Sequence, residues 1–124
     1  MHDAAGRLRT LLEDMGAATT SDVSDGAFRD EVYTVRGIGV RISSEYGNAR
    51  VNLSCGSVPS SPASFWLAAL DGAADYPDPA VTEEDMESVL TRLPELAEKA
   101  PQLSPTVAAM HRQYIKATKE RLQG

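Results

Sequence analysis

The stretch Gly37 to Gly56, GIGVRISSEYGNARVNLSCG, decides the fold. Ile38, Val40 and Ile42 alternate with Gly39, Arg41 and Ser43, and Val51, Leu53 and Cys55 alternate with Arg50, Asn52 and Ser54. Period-two alternation on both sides of a turn at Tyr46-Gly47-Asn48 predicts two antiparallel strands with one apolar and one wet face. The rest of the chain then has to cover the apolar face.

Upstream, DEVYTVR from Asp30 to Arg36 has the Val, Tyr and Thr content of a strand, with Tyr33 and Val35 on one face and Val32 and Thr34 on the other. Gly37 and Gly39 supply the turn or bulge that joins it to the hairpin. Its neighbours Asp30, Glu31 and Arg36 are the charges expected to guard an outer strand edge. Ala17 to Ala27 is rich in Ser, Thr, Asp and Gly, which predicts a loop. Before it, Leu8, Leu11, Leu12 and Met15 form one stripe of a helix capped by Asp3 and stopped at Gly16.

Downstream, Gly56 to Pro62 reads as an irregular connection, with Ser61 capping a short helix from Ala63 to about Asp71 that starts on Pro62. Phe65, Trp66, Ala69 and Leu70 give that helix a bulky apolar patch, and Trp66 is expected in the core. Pro77 and Pro79 make Asp71 to Val81 a surface loop. Thr82 and Asp85 form a near capping box for a third helix, whose stripe is Met86, Val89, Leu90 and Leu93. Pro94 is expected to kink it or to start a continuation to Ala100 that Pro101 ends. Ser104-Pro105 then opens a last helix to Leu122, striped by Val107, Met110, Tyr114 and Ala117. The expected architecture is a single α+β domain over residues 1–124, in the order α-β-β-β-α-α-α. A three-stranded antiparallel meander is covered on one face by about four helices, with no internal repeat.

The 124 residues suffice to bury about two-thirds of the unfolded chain's surface. No apolar run approaches the ~20 residues of a membrane span, and the N-terminal dozen has no apolar core of a signal peptide. Cys55 is the single cysteine, so no intrachain disulfide framework exists. These features predict a cytoplasmic protein without a membrane partner.

The net charge of −6 is unevenly placed. Residues 1–50 carry six basic and eight acidic side chains, residues 51–91 seven acids and no Lys or Arg, and residues 92–124 six basic and three acidic. The acidic middle third argues against nucleic-acid binding, which requires a basic footprint, and suits a basic partner.

Motifs for chemistry are lacking. His2 and His111 have no second ligand at helical spacing, the DGAADYPD loop fails the calcium-loop pattern, and Cys55 shares a strand face with Val51 and Leu53. Neither a metal, nor a cofactor, nor a catalytic residue is assigned. Two constellations remain. One is the acidic segment with Asp75, Tyr76, Asp78, Glu83, Glu84, Asp85 and Glu87, and the other is the hairpin's polar face with Arg41, Arg50 and Asn52.

The expected function is a small acidic protein-binding module that occludes a partner with a basic surface. Its carboxylates steer the encounter, while Tyr76 or the hairpin face makes the tighter contacts. In size, charge and lack of catalytic residues the chain resembles the compact acidic inhibitors and immunity proteins that bacteria use against toxins, a likeness that covers no motif. Two other classes compete. One is a small-molecule-binding domain or enzyme whose pocket between sheet and helices uses Arg41, Arg50, His111 or Tyr114. The other is an assembly subunit joined through its last helix or an open strand edge.

Overall fold

The predicted hairpin is present, at the centre of a larger sheet. The computed structural model describes residues 4–46, 48–79 and 83–123. Strands β1 (Ala18–Asp25), β2 (Phe28–Val35), β3 (Ile38–Glu45), β4 (Asn48–Cys55) and β5 (Val58–Pro62) form an antiparallel meander in the order β1-β2-β3-β4-β5. Helix α1 (Ala4–Asp14) precedes the sheet, and α2 (Ala63–Leu70) and α3 (Glu83–Gln123) follow it. The expected caps at Asp3 and Thr82, and the Gly47 of the central turn, lie outside the described residues.

The α+β class therefore holds, with five strands and three helices among the described residues instead of three and about four. Ala18–Asp25 is a strand, not a loop, although all eight of its side chains are exposed. Val58–Pro62 is also a strand, not an irregular connection. Its prolines are tolerated because it is the outermost strand, where an absent N–H interrupts no second ladder. Pro62 stands at the N-cap of α2, one position earlier than expected, and no side chain caps the helix there.

Short turns set the register. Arg36 and Gly37 both have positive φ, 49° and 84°, as the two-residue turn between right-twisted strands requires. Glu31, Tyr33 and Val35 of β2, Ile38, Val40 and Ile42 of β3, and Val51 and Leu53 of β4 are buried on the helix-covered face. Their alternate neighbours form the outer face, on which no helix of the described residues packs.

Leu8 and Leu12 of α1, Phe65, Trp66 and Leu67 of α2, and Val89, Leu93, Leu96, Val107 and Met110 of α3 complete one core. Trp66 is buried as expected, its indole N–H donating to the Leu53 carbonyl at 3.1 Å beside the slip in the β4–β5 ladder. Helix α3 runs for 41 residues, about 60 Å, through Pro94, Pro101 and Pro105. A kink or restart was expected at Pro94, an end at Pro101 and a new start at Ser104-Pro105. Instead Met86, Val89, Leu93, Leu96, Ala100, Val107 and Met110 keep one buried stripe across them, and that packing outweighs the lost backbone hydrogen bonds. No helix among the described residues is long and apolar enough to cross a membrane.

Candidate functional site

Between α2, the 71–79 connection and the first turns of α3 lies a groove of about 340 Å³. Asp71, Asp78, Glu84 and Asp85 line it with Ser64, Ser88 and a single cation, Arg92. The rim of the connection is pinned to α2, because the Ser64 hydroxyl donates to the Asp78 carbonyl at 3.2 Å. Arg92 is already engaged, donating to Asp71 at 2.8 Å and to Glu95 at 3.3 Å. Those two hydrogen bonds, Asp71 first, hold its guanidinium above its ordinary value. With four carboxylates against one guanidinium, the lining is net negative.

Three of the acidic residues singled out in the sequence, Asp78, Glu84 and Asp85, are brought together here. Asp75 is exposed on the connection but does not line the groove. Of Glu83 only the backbone is described, as the first residue of α3. Glu87 is committed elsewhere, accepting from Arg7 of α1 at 2.6 Å. Tyr76 is half-buried, its ring 5.9 Å from Phe65 and 5.8 Å from Tyr114, and these two lie 5.9 Å apart. Such edge and tilted contacts anchor the connection onto α2 and α3, so Tyr76 supports the groove from inside. Ser88 and Arg92 were not singled out. Their spacing from Glu84, four and eight residues along α3, places all three on one helical face and was the available signal.

Arg41, Arg50 and Asn52 lie on the outer face of the sheet, the layer opposite the groove. Asp30 accepts from Arg41 at 2.9 and 2.8 Å and from Ser43 at 2.9 Å. The Arg41 hydrogen bonds, opposed by partial burial and helped by Ser43, hold the Asp30 carboxyl below its ordinary value. Arg50 is exposed and Asn52 half-buried. A two-layer domain separates this patch from the acidic groove, so one flat partner surface meets one or the other. The same layering parts Arg41 and Arg50 from His111 and Tyr114 on α3, and the four do not converge on a pocket.

Glu31, expected as an edge charge, is fully buried, because β1 continues the sheet beyond β2 and α1 crosses over it. Its carboxylate receives a fork from Arg9 at 2.7 to 2.9 Å and the Tyr33 hydroxyl at 2.5 Å, with Arg29 at 3.3 Å. Burial pushes the Glu31 carboxyl up, but the hydrogen bonds from Arg9 and Tyr33 and the charges of Arg9 and Arg29 outweigh it and leave it below its ordinary value. Satisfied from all sides, the group ties α1 to the sheet.

A second polar contact inside the fold joins Ser61 and His111, with Oγ and Nδ1 3.3 Å apart. The buried Ser61 hydroxyl has the Pro59 carbonyl as a second partner, 2.9 Å away. Among the described residues no group of three His, Cys, Asp or Glu side chains is placed to hold a metal ion. Comparison with protein-family models, with curated proteins and with solved structures finds no match to this chain.

Proposed function

We propose that the chain is a protein-binding domain that docks a basic surface of its partner on the acidic groove between α2 and α3, and acts by occluding that surface. The observation that carries this reading is the lining itself: four carboxylates, Asp71, Asp78, Glu84 and Asp85, stand against one guanidinium, Arg92, which pairs with Asp71 and Glu95. Carboxylates gathered in a concave, low-dielectric wall focus the field and raise the encounter rate of an oppositely charged partner. The anchoring of the connection by Tyr76 and Ser64 supports the reading, since a preorganised groove loses less freedom on binding.

The test is capture from a lysate of the native host on the immobilised protein, followed by association kinetics with the purified captured protein. Replacing Glu84→Lys and Asp85→Lys together is expected to slow association at least ~10-fold, with circular dichroism to check the fold, because Lys in the first turns of α3 opposes the helix dipole. An unchanged association rate overturns the groove as the docking site.

A further inference from the structure

The two edges of the sheet are treated differently. The β5 edge carries Pro59 and Pro62, and Ser61 is buried beneath α3. The β1 edge carries neither Pro nor Lys, and all eight of its side chains are exposed. Among the described residues β1 pairs only with β2, and an unpaired outer row of N–H and C=O groups is the template for pairing with another strand.

Apolar surface gathers at the same edge. Among the described residues five large hydrophobic side chains are exposed, and Val23, Phe28 and Tyr46 are three of them. Val23 stands opposite Asp30 and Asp25 opposite Phe28, so Val23 and Phe28 are diagonal neighbours on the outer face. Tyr46 is tied beside them by its N–H donating to the Ala27 carbonyl at 3.3 Å.

We propose that β1 is a homodimer interface, pairing antiparallel with β1 of a second copy to extend the five-stranded sheet into one continuous sheet across a two-fold axis. A two-fold through an antiparallel sheet sets one residue opposite its own copy. The β1–β2 register slips between Thr19 and Ser21, which leaves Ser21 to Asp25, SDVSD, as the regular stretch. Its centre is Val23. With Val23 opposite its copy, Asp22 faces Ser24 and Asp25 faces Ser21 of the second chain, so each carboxylate meets a hydroxyl donor. Centring on Asp22 instead sets two carboxylates opposite each other, which is destabilising. Arg29 already compensates Asp22, at 3.2 Å. The Val23 register also joins the Val23 and Phe28 pairs of the two copies into one apolar stripe on the outer face. The acidic groove lies in the other layer and stays open in such a dimer.

The experiment is sedimentation or light scattering of the full chain up to ~1 mM, since one short strand pair buries less than a stable interface of about 1,200 Å². A mass rising with concentration from 13.3 kDa toward twice that value is expected. Val23→Lys, at a position 54% exposed, is expected to weaken the association at least ~10-fold by setting like charges face to face. In a Cys55→Ser background, Val23→Cys is expected to form a disulfide-linked dimer under mild oxidation, and Ser24→Cys, opposite Asp22, far less of it. A mass that stays monomeric throughout, or a dimer untouched by Val23→Lys and not trapped by Val23→Cys, overturns the proposal. Neither outcome bears on the groove.

Discussion

Burying Glu31 beneath α1 takes a carboxylate out of water, and Arg9, Tyr33 and Arg29 answer it with charge and hydrogen bonds. The cost reappears in Tyr33, whose hydroxyl is pushed up to about 12 from 10.0, by burial first and then by the hydrogen bond to Glu31. A folded-state value above the unfolded one gives stability that is complete below pH 10 and disappears as pH rises through 12. The shift corresponds to at most about 2–3 kcal/mol. Urea unfolding midpoints are therefore expected to fall between these two pH values in the native chain, and Tyr33→Phe is expected to flatten that fall. Glu31, with a depressed value, works at the acid end, where its contribution is lost as pH drops through its folded value. The sequence shows Glu31 only as one acid in DEVYTVR. Its burial depends on α1, 22 residues away at Arg9, lying across β2.

At the scale of elements, β2, β3 and β4 were legible because one face of each is buried and apolar residues alternate. β1 was not, because neither of its faces is buried and burial is what imposes alternation. The overlooked signal was spacing: the five strands begin at residues 18, 28, 38, 48 and 58, and turn glycines 26, 37 and 56 punctuate them. In α3 packing overrides proline chemistry, which by itself predicts interruption, and holds one helix together. Pro101 is exposed within the helix and its ring still removes a hydrogen bond to the Ala97 carbonyl. Pro101→Ala is expected to raise stability by about 1 kcal/mol or more, after allowance for the unfolded chain's greater freedom. Denaturant unfolding followed by Trp66 fluorescence measures it, because Trp66 is buried when folded.

Across the whole molecule, α3 separates charge along its length. Glu84, Asp85 and Glu87 stand in its first turns, while Arg112, Lys116 and Lys119 flank Ile115 on a shallow surface near its end. Glu84 and Asp85 in the first turn and Arg121 in the last complement the helix dipole. A partner docking on the acidic end is expected to associate more slowly as ionic strength rises from ~0.01 M to ~0.1 M, where the screening length contracts from ~30 Å to ~10 Å. Stopped-flow rates across that range measure the effect, and the Glu84→Lys, Asp85→Lys chain is expected to show little of it. By itself the sequence determined the α+β class, the central hairpin, the buried stripes and the acidic middle third, because these are local patterns of polarity and charge. Only the tertiary structure decided that Asp78, Glu84 and Asp85 share a groove while Glu87 pairs with Arg7. It also placed Arg41 and Arg50 on the opposite layer and left β1 bare. Each of these depends on which element lies against which, and contacts between residues far apart in the chain leave no periodic trace in it.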